Sequence, residues 1–257
     1  MGSLAGPGVL TLCAIFLAVF AGTALQRISG MGLGLIAAPA LSLIIGPISG
    51  ILLVNVLATI NAASNTYAMR EHVDWGRFAP IGASLVLGAV PGAFLIRAVS
   101  PDLLLVVVGA LLLIALSVVT LGNRYVPNIE GVVPSAIAGA IGGFMNTLAG
   151  VAGPAITVYA QAARWPKEIY AATLQPIFLV SGALSFTIKE VTGAANFAAV
   201  TTSTWVVGLV AMVLGIVAGT KVAPRVSAAK GYRIALGLAV FGGLTALVRG
   251  IIGLAGA

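Results

Sequence analysis

Two glycine clusters hold the residues of this chain best placed to do chemistry. The first runs Gln26-Arg27-Ile28-Ser29-Gly30-Met31-Gly32-Leu33-Gly34 and is followed by Pro39. The second runs from Gly142 and Gly143 through Asn146 and Thr147 to Gly150, Gly153 and Pro154. Both sit in long uncharged stretches, one between Arg27 and Arg70 and the other between Glu130 and Arg164. A hydrocarbon core about 30 Å thick takes roughly 20 apolar residues per helical crossing. Each stretch is therefore longer than one crossing and is interrupted inside it by helix-weakening residues. An interrupted helix frees backbone N–H groups, which at membrane depth must face protein or a water-filled cavity. At a helix start such groups carry partial positive charge and suit an anion. Paired Gly/Pro-interrupted segments in corresponding halves point to a transporter's substrate site.

Side chains near the breaks extend this reading. Arg27 lies one turn before Gly30, where a guanidinium fork presents paired donors to an oxyanion. Asn146 and Thr147 lie one turn before Gly150, and a buried amide in lipid needs a partner, either another helix or a substrate. The segment after each break is the polar one. Asn55, Thr59, Asn61, Ser64 and Asn65 follow the first, and Thr173, Gln175, Ser181 and Ser185 follow the second. Asn61 and Asn65, four apart, share a helix face, and Pro176 weakens its helix locally. The candidate substrate-binding set is Arg27, Ser29, Gly32, Gly34, Asn61, Asn146, Thr147, Gly150, Gly153 and Gln175.

Other chemistries fit poorly. A dinucleotide fingerprint needs a strand before its glycines and a soluble helix after them. All six acids fall at segment ends or in loops, which disfavours a carboxylate proton relay. His72 stands alone, so neither a metal site nor a Ser-His-Asp set is expected. The reading is a non-enzyme without metal or cofactor. Cys13, the one cysteine, reads as a packed thiol. Trp75, Trp165 and Trp205 read as interfacial anchors.

The positioning elements follow from composition. Of 257 residues, 60% are hydrophobic and 7% charged, and mean hydropathy is +1.15. Soluble domains carry about 25% charged residues, so the chain reads as an all-α, polytopic membrane protein. Met1–Gly8 has no Lys or Arg, unlike a cleaved signal peptide, and Gly2 has no hydroxyl residue at position 6 to support myristoylation. Charges and turn residues divide the chain into ten apolar segments near 8–26, 31–49, 50–69, 78–97, 102–121, 132–148, 151–163, 168–189, 199–220 and 232–251. If all ten cross, Arg97, Lys189 and Arg249 share the N-terminal side, and the other ten basic residues, Arg124 among them, lie opposite. That bias explains the net charge of +7 better than nucleic acid does, and it places both termini outside the cytoplasm. Treating 31–49 and 151–163 as re-entrant hairpins leaves eight crossings and a poorer bias.

Gly88, Gly92 and Ser100 recur as Gly215, Gly219 and Ser227, and each run leads into a helix with a central glycine, Gly109 or Gly237. Pairing Pro39 with Pro154 implies about a dozen inserted residues between the copies. The expected organisation is two membrane repeats, 8–121 and 132–251, each of five elements. An odd count makes them inverted with respect to the membrane.

Ile28–Gly34 with Pro39, Asp74-Trp75, Gly88–Gly92 and Gly150–Pro154, in this order over nearly the whole chain, resemble the sulfite exporter TauE/SafE family. The resemblance implies an inner-membrane permease of two homologous halves. It also implies small anions as substrates, often sulfite, thiosulfate, sulfoacetate or other organosulfonates. The expected function is secondary transport of such an anion by alternating access. An anion channel of the same architecture and a non-transport assembly factor are the alternatives. The expected partners are the anion and the lipid bilayer, with room for a homo-oligomer.

Overall fold

A computed structural model describes residues 7–121 and 128–256, so Gly2 and Arg124 lie outside the described residues. Among these the chain is helical, without strands. Its ten α-helices are α1 (Val9–Ser29), α2 (Leu33–Ile45), α3 (Pro47–Met69), α4 (Trp75–Ala98), α5 (Pro101–Leu121), α6 (Val132–Ala149), α7 (Gly153–Ala162), α8 (Lys167–Thr192), α9 (Thr202–Val222) and α10 (Ala228–Ala255). Eight are long and apolar enough to cross a bilayer. With 13 and 10 residues, α2 and α7 reach only about 20 and 15 Å at 1.5 Å per residue and cannot span it alone. The ten expected segments are thus eight spanning helices and two short ones.

Helix directions follow from where glycines let backbones approach. Gly215 and Gly219 of α9 lie against Phe20–Ala24 and then Ala24–Arg27, so α1 and α9 run parallel. Gly139 and Gly143 of α6 lie against Ile81–Ser84 and then Leu85, so α4 and α6 also run parallel. By contrast α3 and α8 are antiparallel: Gly182 meets Asn55 and Thr59, while Gln175 reaches Asn65. The α5–α10 pair is antiparallel too, with Gly109 against Gly243 and Gly250 against Asp102 and Val106. Small residues at these crossings are what close packing in lipid requires.

The short α2 turns back along α1, with Gly32 against Gly22 and Gln26, and hands over to α3 at Gly46, with Gly50 against Leu41 and Ser42. Arg249 donates to the Leu43 carbonyl at 2.9 Å. The end of α10 therefore lies on the face where α1 begins.

Several expectations are corrected. Pro39 sits inside the continuous α2 rather than closing a break, because neighbouring packing overrides the lost N–H. Trp205 is buried and stacks on Phe197 at 4.4 Å between ring centres, so it is no interfacial anchor. Cys13 is exposed on the outer flank of α1. Gly237 meets nothing within 4 Å; the α10 glycine opposite Gly109 is Gly243. The ends of α1 and α6, and the starts of α2/α7 and α3/α8, lie 120 residues apart, while α4/α9 and α5/α10 start 127 apart. The separation therefore widens by seven residues across the end of α8 and the connection after it. Pro39, within α2, and Pro154, at the start of α7, are not counterparts.

Candidate functional site

Each break is built by a glycine that only a left-handed backbone satisfies. Gly30 (φ 83°) closes α1 by donating its N–H to the Gln26 carbonyl at 2.8 Å. Gly150 (φ 67°) closes α6 in the same way on the Asn146 carbonyl at 2.9 Å. These caps occupy carbonyls that would otherwise be free at the helix end. The chain then restarts at once. The Gln26 side chain turns back and accepts the Leu33 N–H at 3.0 Å, capping α2 from within α1. The start of α7 has no side-chain cap, and Pro154 in its first turn has no N–H to satisfy.

The two breaks touch. Gly34 packs on the Gly150 carbonyl so closely that any side chain there would overlap it, and Gly153 lies against the sulfur of Met31 and the ring of Phe178. Between them is a cavity of about 40 Å³ lined by Gln26, Gly32, Gly34, Asn146, Gly150 and Gly153, with Met31, Leu35, Ala58 and Phe178 among its apolar walls. Its polar side chains are the two amides of Gln26 and Asn146, and no charged side chain lines it. The first turns of α2 and α7 both open onto it. Their N–H groups have no partner within their own helix and bring the positive ends of two helices to one point.

The remaining candidates lie in two networks beside this cavity. Arg27 donates through Nη1 to Asn65 Oδ1 and through Nε to Thr220 Oγ1 at 3.1 Å. Asn65 donates onward to Gln175 Oε1 at 3.2 Å, and Gln175 donates to the Ala171 carbonyl at 3.1 Å. Arg27 and Gln175 thus clamp α1, α3, α8 and α9 together instead of lining the cavity. On the other break, Asn146 donates to Ser185 Oγ at 3.0 Å, and the Thr147 hydroxyl lies 2.9 Å from the same oxygen. Arg27/Thr147 and Asn65/Ser185 are each 120 residues apart, the separation of the starts of α2 and α7. The Ser29 hydroxyl, on the last residue of α1, lies 2.7 Å from the carbonyls of both Leu25 and Met31 and ties the end of that helix to the break rather than facing the cavity. Asn61 is buried, and its amide nitrogen has no hydrogen-bond partner among the described residues.

Sequence reasoning passed over Gln26, whose position one turn before Gly30, matching Asn146 before Gly150, was the available signal. It placed Asn65 and Ser185 on polar stripes without making them site residues. It also treated Lys189 as a charge at a segment end. That residue is 1% exposed, and its ammonium has no hydrogen-bond partner among the described residues. Burying a cation without a partner costs on the order of several kcal/mol. Asp74, part of the Asp74-Trp75 pair, caps α4 by accepting the Arg77 N–H at 3.0 Å.

No curated protein and no solved structure matches the chain. A family model described as "Sulfite exporter TauE/SafE" matches residues 14–256, nearly the whole length. With eight apolar spanning helices and two short ones, the chain is a multi-pass membrane transporter that belongs to the sulfite exporter TauE/SafE family.

Proposed function

We infer that the protein is a secondary carrier for a small sulfur-containing anion, sulfite or a short organosulfonate, and that it works by alternating access. The observation that carries this reading is the meeting of two interior helix starts at one cavity that has amides but no carboxylate. Sulfite and sulfonates present three oxygen acceptors on one centre, which suits converging N–H donors. The sites that bind and position the anion are Gln26, Gly32, Gly34, Asn146, Gly150 and Gly153, with the Arg27–Asn65–Gln175 and Thr147–Ser185 networks holding the helices around them.

Alternating access draws support from helix direction. Exchanging α1–α5 with α6–α10 maps the parallel α1/α9 pair onto the parallel α6/α4 pair. It maps the α3/α8 and α5/α10 pairs onto themselves. Two inverted halves, about 8–121 and 132–251, would have this relation. Rocking one half against the other exposes the shared cavity first to one side and then to the other. The excess of basic residues opposite the terminal face assigns both termini to the outside of the cytoplasmic membrane. A C-terminal reporter fluorescent only in the cytoplasm overturns that orientation.

The deciding experiment is uptake into liposomes holding the purified protein, with labelled sulfite, thiosulfate, sulfoacetate, acetate and chloride. Saturable uptake of the sulfur anions with counter-flow is expected. Unsaturable conductance identifies a channel, and no movement of any anion sinks the transport reading.

A further inference from the structure

The central cavity has a cationic network near one break but only neutral groups in contact with the other. Arg27 answers Asn65 beside α1, whereas the equivalent Thr147 answers Ser185 beside α6. The second half has its cation elsewhere. Lys189 lies four residues after Ser185 on α8, on the same face and one turn further along. Side chains on a helix lean toward its N-terminus, over the residue four before. Lys189 therefore leans back over Ser185, which holds the cavity-lining Asn146. Reaching the near membrane face would require the opposite lean, and the residue is 1% exposed. The six acids of the chain are at helix ends or in connections, and neither ion pair among the described residues involves Lys189. A buried ammonium with a complete set of unused donors, one turn from the Ser185 that holds a cavity-lining amide, lacks only an anion.

We propose that Lys189 is a substrate-binding cation of the second half, meeting the transported oxyanion as it passes between the cavity and the terminal face. Arg27 flanks the path on the opposite side. The proposal rests on the carrier reading above and deepens it: each half supplies one cation, on α1 in the first and on α8 in the second. The anion then never crosses the uncharged centre without a positive group within about one helical turn on either side.

The test compares wild type with Lys189→Met, Lys189→Arg and, as a control for lost charge, the exposed Lys221→Met. Thermal unfolding in detergent is read with sodium sulfite, sodium sulfoacetate or sodium gluconate at equal ionic strength, alongside uptake of labelled sulfite and sulfoacetate into liposomes. Lys189→Met is expected to unfold at a higher temperature than wild type without anion, because an unpartnered buried charge has been removed. It should lose the rise in unfolding temperature with sulfite or sulfoacetate, and its uptake of whichever anion wild type carries should fall at least tenfold. Lys189→Arg should retain part of both, and Lys221→Met all of both. Unchanged uptake and anion response in Lys189→Met overturn the proposal while leaving the carrier reading intact. A fall in its resting unfolding temperature marks the ammonium as structural and also overturns it. If wild type neither transports nor is stabilised by either sulfur anion, the carrier reading fails and this one with it.

Discussion

The two breaks share one backbone design and differ in how firmly it is held. In the first, Gln26 caps the restarting helix, Gly32 is locked against Gly22, and α2 packs against α1, α3, α5 and α10, with Pro39 against Gly242. In the second, no side chain caps α7, which is three residues shorter. Its outer face, including Ala155 and Val158, borders an open apolar groove of about 460 Å³ beside α5 and α6. Fewer buried contacts mean a lower local free energy of opening. The comparison separates a half-helix packed on several sides from one with an uncovered apolar face.

The largest effect is expected where the breaks touch. Gly34→Ala places a methyl group on the Gly150 carbonyl, a backbone atom that no side-chain rotation relieves. Overpacking of this kind costs about 1–3 kcal/mol, and separating the breaks should abolish uptake. Retention of more than a tenth of wild-type uptake would show that the contact is dispensable.

A smaller effect distinguishes the two left-handed glycines. Alanine at either position incurs the left-handed penalty of about 1–2 kcal/mol. Gly30 has open space around it, whereas a methyl group at Gly150 would lie 3.1 Å from Ala38 and 3.3 Å from Val54. Thermal unfolding should therefore rank Gly150→Ala below Gly30→Ala. The reverse order would mean that the second break is loose enough to absorb the added methyl.

The smallest effect lies in the two amides. Gln26→Ala removes a helix cap worth about 1 kcal/mol. Asn146→Ala removes one interhelical hydrogen bond, about 0.6 kcal/mol in membrane proteins. Gln26→Ala should lower the unfolding temperature more, while both raise the concentration of anion needed for half-maximal uptake. Equal destabilisation would mean that the second amide is held as tightly as the first.

Much of this was legible in the chain because the bilayer limits the choices so severely. Charges and turn residues marked all ten helices to within a few residues, and glycines at 30 and 150 marked both breaks. One proline misled, since Pro39 read as part of the first break but lies in a helix that tight neighbours keep continuous. Arg27 and Gln175 were read as substrate-binding groups, and their side chains meet Asn65, Thr220 and the Ala171 carbonyl rather than the cavity. No local pattern distinguishes an amide that meets another helix from one that meets a void.

The chain by itself determined the membrane class, the family, the number of helices and the positions of their breaks, because hydropathy and backbone freedom are local properties that each segment carries alone. Tertiary structure decided which glycine meets which carbonyl, that Gln26 caps α2, that α7 is left loosely covered, and that Lys189 is enclosed without a partner. Those outcomes depend on separate helices being pressed together, from Gln26 and Leu33 only 7 positions apart to Gly34 and Gly150 on opposite breaks, and only the packed helices bring them within reach of one another.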